Sequence, residues 1–165
     1  MKPKTVGRSH GQAHADASQM TGGVPLGSII LTMSGEMPVE HVMPGDRIIT
    51  RDTGAAIVRN VLRHRRRCRA VRILAGSLGD TRPECDVTLP EDQPVHVRDW
   101  RAEALFGAKE ATVRAGALID GEYITALGEI ELEVVTLIFD RAHVLYVDGL
   151  EVAGHIVGQT VKVAA

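Results

Sequence analysis

The chain has 165 residues, 44% of them apolar, a formal net charge of −2 and an aromatic content of only 3%. This allows one domain with an aliphatic core and excludes a chain disordered throughout or a general attraction to nucleic acid or anionic lipid. No apolar run approaches the roughly 20 residues of a helical membrane span.

In chain order, residues 1–22 are polar and without apolar periodicity, and are expected to form a disordered tail before a domain spanning 23–165. His10 and His14 have helical spacing but no carboxylate at a matching position, so a metal site is not expected. No apolar secretory segment is visible, which makes a cytoplasmic location the default expectation; a non-classical export route would leave no trace here. The two cysteines, Cys68 and Cys85, lack Cys-x-x-Cys spacing, so neither a disulfide framework nor a zinc site is implied. No cofactor of any kind is implied.

Residues 29–33 read as a strand closed by Ser34-Gly35-Glu36. The stretch 38–52 reads as a short helical turn, a tight Pro44-Gly45-Asp46 turn and a strand beginning at Ile48, ending at Asp52-Thr53-Gly54. Residues 56–69 predict an extended arm, 71–75 a further strand and 76–83 a loop. Residues 86–97 are β-type, with Pro90 and Pro94 marking edges or bends because proline lacks the ladder N–H. Residues 100–106 and 115–119 predict short helices. From Glu129 the chain alternates carboxylate and aliphatic residues and continues as a strand to Phe139. Asp148-Gly149 between two apolar runs predicts a hairpin with a two-residue turn. Many short strands separated by Gly and Pro turns predict an all-β fold.

Several features, in this order, resemble Hint domains, the fold of hedgehog autoprocessing domains and inteins, and in particular their bacterial branch. They are Gly35-Glu36 with Pro38-Val39-Glu40, Pro44-Gly45-Asp46, Val71-Arg72-Ile73, Trp100-Arg101-Ala102-Glu103, Leu118-Ile119-Asp120-Gly121, Leu137-Ile138-Phe139-Asp140-Arg141 and Asp148-Gly149-Leu150. The resemblance implies a compact, twisted β-domain with short helical turns. Active members open the domain with a nucleophilic Cys that attacks the preceding carbonyl. A Ser/Thr-x-x-His motif polarises that amide and handles protons.

At the matching positions this chain has Gly23 for the Cys, Pro90 for the hydroxyl residue and Gln93 for the His. Ala142 stands where relatives often carry His after Asp-Arg, and Ala153-Gly154 where many carry Glu-Ser. Glycine has no nucleophile, and a Gln side chain donates a hydrogen bond but cannot shuttle a proton at neutral pH. The expected function is therefore a Hint-type domain with a degenerate autoprocessing site, acting as a structural or binding module for an unknown protein partner, as a monomer and away from membranes.

Three other readings compete with it. Self-cleavage or splicing could survive with a substitute nucleophile, Thr21, Ser28 or Cys85, and with His96 or His143 as base. Nucleic acid could bind through Arg63, Arg65, Arg66, Arg67 and Arg69, five arginines in seven residues. An acidic remainder almost without aromatics argues against that, and the plain reading of the run is a solvated arm. A hydrolase using Asp92, His96 and Asp99 lacks a nucleophile motif.

Overall fold

The computed structural model describes residues 22–156, so residues 1–21 of the predicted tail, with His10, His14 and Thr21, lie outside the described residues, while its last residue, Gly22, lies within them and is buried. Thirteen strands and one short α-helix are found among them. The first are β1 (Val24–Pro25), β2 (Ile29–Thr32), β3 (Gly35–Pro38), β4 (Arg47–Thr50) and β5 (Gly54–Ile57). Gly35-Glu36 opens β3, so the turn after β2 is shorter than the sequence suggests and consists of Met33 and Ser34. The Pro44-Gly45 turn is present, with Gly45 at φ +95, a value that glycine adopts without strain. Its geometry is closed by the Gly45 N–H donating to Val58 O at 2.8 Å.

The predicted arm is split: residues 56 and 57 end β5, while the remainder from Asn60 runs on into the strand after it as one element, β6 (Asn60–Ile73). No turn residue interrupts 60–73, so the strand runs straight through, although its inward parity changes at Ala70-Val71, both buried, opposite the irregularity between Ala126 and Gly128. Then follow β7 (Val87–Pro90) and β8 (Pro94–Val97), with the two prolines at a strand end and a strand start. The helix α1 (Trp100–Phe106) is capped by the Asp99 carboxylate, which accepts from Arg101 N, and ends at Gly107, φ +69. Beyond it come β9 (Ala111–Arg114), which the sequence reading missed, and a short 3-10 turn at Ala115–Leu118. The long β10 (Ile124–Phe139) is followed by β11 (Val144–Val147), β12 (Leu150–Ala153) and β13 (His155–Ile156). The β11–β12 hairpin turns at Asp148 (φ +50) and Gly149 (φ +79), two left-handed residues in succession as a primed turn requires.

Two sheets form. One has the order β1-β10-β6-β7, with β13 added parallel to β10; the other runs β3-β2-β4-β11-β12-β8-β9, with β5 on β4. The core is aliphatic, centred on Ile30, Ile48, Ile73, Leu89, Ile124, Leu145 and Leu150, each almost fully buried, with Phe139 as its one large ring. No helix among the described residues is long and apolar enough to cross a membrane.

The β6–β10 ribbon positions the site. Its register pairs Val135 with Arg63, Val134 with His64 and Leu132 with Arg66. On β6, even-numbered residues from 62 to 68 face inward and odd-numbered ones face solvent, because strand side chains alternate. β1 then lies along the other edge of β10, pairing Val24 with Val135, which brings the chain just before β1 against the start of β8.

Candidate functional site

The site is built around the Gly22–Gly23 peptide. The Gly23 N–H donates to Gln93 Oε1 at 2.7 Å, and the Gly22 N–H donates to Asp92 Oδ1 at 3.0 Å. Arg66 Nη1 donates to Gly22 O at 2.8 Å, and the same guanidinium holds both Asp92 oxygens, at 3.2 and 2.9 Å. Every backbone polar group from the Gly22 nitrogen to the Gly23 nitrogen is therefore held by a side chain of the fold.

Local structure explains the convergence. Pro90 ends β7 and Pro94 starts β8, so residues 91–93 form a tight connection, closed by the Gln93 N–H donating to Pro90 O at 3.0 Å. That turn aims Asp92 and Gln93 at the incoming chain. Gln93 is 1% exposed, and its Nε2 donates to Pro94 O and Ala153 O at 2.9 and 3.1 Å. These two carbonyls can only accept, so they fix which end of the amide is oxygen.

Gly23 and Gln93, the positions matched to the family's Cys and His, are in contact. Pro90 supplies only backbone and turn geometry. Ala142 lies exposed in the connection before β11.

A side chain at either glycine would meet atoms already in place. A Cβ on Gly23, whose φ is +113, would sit 2.8 Å from Val134 Cγ2 and 3.5 Å from Thr136 Oγ1. A Cβ on Gly22, φ +76, would lie 2.6 Å from Gln93 Oε1. Contacts that short require the neighbours to shift, and both glycines occupy backbone conformations unfavourable for other residues. Two polar side chains beside this point have no hydrogen-bond partner: the Thr136 hydroxyl and both ring nitrogens of His64. The sequence reading missed Thr136, His64 and the inward role of Arg66. The even-odd alternation of 62–68 was the signal that could have separated Arg66 from its neighbours.

The other candidate groups are elsewhere. Ser28 is buried in the turn before β2, where its carbonyl accepts from Val39 N at 2.8 Å. His143 is 6% exposed and bonded through Nδ1 to Asp52 Oδ2 at 2.8 Å. Because a carboxylate only accepts, that nitrogen carries the proton. His96 lies between Arg51, at 3.2 Å from Nε2, and the Thr112 hydroxyl, at 3.2 Å from Nδ1. Asp92, His96 and Asp99 do not assemble, since Asp92 serves Arg66 and Asp99 binds Arg101 at 2.6 Å. Cys85 is exposed and Cys68 buried, and both are free. Burial raises the Cys68 thiol above its usual range, with Asp92 adding to the rise and Arg66 opposing it, which disfavours the nucleophilic thiolate.

The arginine run is not a free basic patch. On the outward face Arg63 pairs with Glu133 at 2.8 Å, Arg65 with Glu131 at 3.5 Å, Arg67 with Glu129 at 3.6 Å and Arg69 with Glu91 at 2.8 Å. The fifth, Arg66, points inward to Asp92. Phosphate would have to displace a carboxylate from each of these cations.

An open groove of about 350 Å³ adjoins the site, lined by Arg66, Cys68, Arg69, Glu91, Asp92 and Arg114. Among the described residues, no group of three or more His, Cys, Asp or Glu is placed to hold a metal.

Comparison with known proteins gives the same architecture. The solution structure of a bacterial intein-like domain from Clostridium thermocellum is similar at 19% identity and TM-score 0.53, over 82% of this chain and 99% of that one. The crystal structure of the gp41-1 intein is similar at 15% identity and TM-score 0.52, over 82% and 99%. A substituted variant of that intein gives 16% and 0.52, over 81% and 98%. No curated protein matches the chain. The profile of the Hint domain matches residues 25–158, most of the sequence, and the chain belongs to the Hint domain family.

Proposed function

We propose that this Hint domain grips the Gly22–Gly23 peptide without cutting it through residue 23, and so acts as a non-catalytic clamp on the segment that precedes it. One observation carries the reading. The groups around the peptide bond satisfy its ground-state hydrogen bonds, while the place for a nucleophile on residue 23 is occupied by Val134. Interactions already complete in the ground state bind without accelerating. Gln93 supports this further, since its amide holds the Gly23 N–H but offers no proton to a leaving amine at neutral pH.

A second reading, self-cleavage by a substitute nucleophile, is favoured by one detail: the unpartnered Thr136 hydroxyl lies 3.5 Å from where a Gly23 side chain would begin. Attack by its oxygen on the Gly22 carbonyl carbon would form an ester, break the bond to the Gly23 nitrogen and send the hydroxyl proton to the new amine. Water would then hydrolyse the ester. Intact mass during long incubation, with and without hydroxylamine, separates the two readings. A single unchanged mass is expected for the clamp. Fragments ending at Gly22 that disappear in Thr136→Val would establish the second reading and end the first.

A further inference from the structure

One group at the clamp takes no part in holding the peptide. His64 stands on β6 in register with Val134, the residue that fills the space at position 23. Both its ring nitrogens are buried without a partner, so a neutral imidazole is tolerated there and an imidazolium would be a buried, uncompensated charge. The next inward residue of β6 is Arg66, the cation that binds the Gly22 carbonyl and Asp92.

The surrounding charges are few. On the inward side of β10 the neighbours are Leu132, Val134 and Thr136, none of which titrates. Glu129, Glu131 and Glu133 lie on the outward face with the exposed arginines. β1 contributes only Val24 and Pro25. The connection after β7 contributes Asp92, already engaged by Arg66. Arg66 and Asp92 are thus the charged groups on this side of the ribbon.

Resting on the clamp reading above, we propose that His64 is a proton-operated release for the Gly22–Gly23 peptide. When His64 takes a proton from water, it becomes a second cation beside Arg66 with no acceptor of its own. The charge is relieved in either of two ways: the ring leaves its buried position, or Asp92 is drawn towards it. The first loosens the packing on Val134 next to Gly23, and the second takes the acceptor from the Gly22 N–H and from Arg66. Both weaken the hold on the peptide. Burial first, and then Arg66, hold the His64 pKa below its ordinary value, so release belongs on the acid side of neutrality.

Amide exchange of the full chain, expressed as protection factors, tests this. Between about pH 7.5 and pH 5, Gly23 protection should fall by about tenfold or more, the factor that one unit of differential protonation supplies. Val95 and Val152, paired across β8 and β12, should keep theirs. In His64→Leu, Gly23 protection should stay level over the same range. A level profile in the natural protein, or the same fall in His64→Leu, overturns the release mechanism. Lack of Gly23 protection even at pH 7.5 overturns the clamp itself, so the two failures are distinct. Should His64→Leu not fold, the His64 ring can be followed by NMR in the natural protein. A midpoint below about 6.5 that coincides with the loss of Gly23 protection supports the mechanism, and a midpoint at or above that value overturns it.

Discussion

The side-chain oxygen of Gln93 lies 2.7 Å from the backbone nitrogen of Gly23, joining residues 70 positions apart. The same amide donates to Pro94 O and Ala153 O, so one side chain ties the start of the domain to β8 and to the end of β12. Gln93→Ala would orphan one buried donor and two acceptors. A loss of about 2–4 kcal/mol is expected in urea unfolding, from the cost of buried unpaired groups. A change under about 0.5 kcal/mol would mean that water replaces the amide freely and that the network is not structural.

A cysteine placed at position 23 should not by itself create a working site. Gly23→Cys places a side chain at φ +113 and 2.8 Å from Val134 Cγ2, and is expected to destabilise by about 2–4 kcal/mol. Adding Val134→Ala removes the overlap but leaves the backbone strain, so thermal melting should show partial recovery of the first loss. An additive second loss would show that the crowding at position 23 is not the cause.

Glu151 is 2% exposed and faces three arginines: Arg98 Nε at 3.1 Å, Arg51 Nε at 3.3 Å and Arg82 Nη1 at 3.4 Å. These follow β8, follow β4 and lie in the loop after β6, so one carboxylate joins three parts of the chain. Glu151→Gln keeps the shape and removes the charge. About 2–3 kcal/mol of stability should be lost, less than for a fully buried pair because the arginines are partly solvated. High salt should narrow the gap between variant and natural protein; a gap that widens with salt would contradict the electrostatic account.

The outward Arg–Glu ladder should contribute little. Arg65 and Glu131 are 67% and 63% exposed, and Arg67 and Glu129 are 75% and 66% exposed. Arg65→Ala and Arg67→Ala are each expected to change stability by about 0–1 kcal/mol. At low salt the natural protein should give no mobility shift with DNA or RNA. A shift abolished by these two substitutions would show that the glutamates yield to phosphate.

Acid should act through Asp52. Burial would raise its pKa, but the Val144 N–H and His143 outweigh burial and leave it below the usual value. A carboxylate with a depressed folded pKa stabilises above its unfolded pKa, and the contribution is lost as pH falls through the folded value. Stability should therefore drop below about pH 4, and Asp52→Asn should lose less over that range. Equal slopes in the two proteins would place the acid sensitivity elsewhere.

Much of this architecture was legible because local signals are strong where strands alternate and turns need special residues. Asp148-Gly149 marked its hairpin, and Glu129 onwards marked β10. The family order of motifs singled out Gly23 and Gln93 one at a time, without setting them side by side. The 70-residue gap itself gives no such hint. β9 was missed because 111–114 is short and lacks flanking turn chemistry, and it is a strand only because β8 pairs with it. The arms of β6 read as two elements because the alternation changes parity at Ala70-Val71, both buried, although the backbone pairing continues. Arg66 could not be told from its four neighbours by charge, only by parity, and the Glu151 hub depends wholly on tertiary approach.

The charge ladder also bears on how the long ribbon is aligned. Sliding β6 by two residues against β10 would still set arginines against glutamates, so the ladder tolerates that error. What does not tolerate it is the bulge between Ala126 and Gly128, where Leu127 is the extra residue and Gly128 adopts φ +72. Gly128 therefore acts as the index mark of the ribbon. Shifting that mark would carry Arg66 two places away from Gly22 while leaving the outer surface almost unchanged in charge.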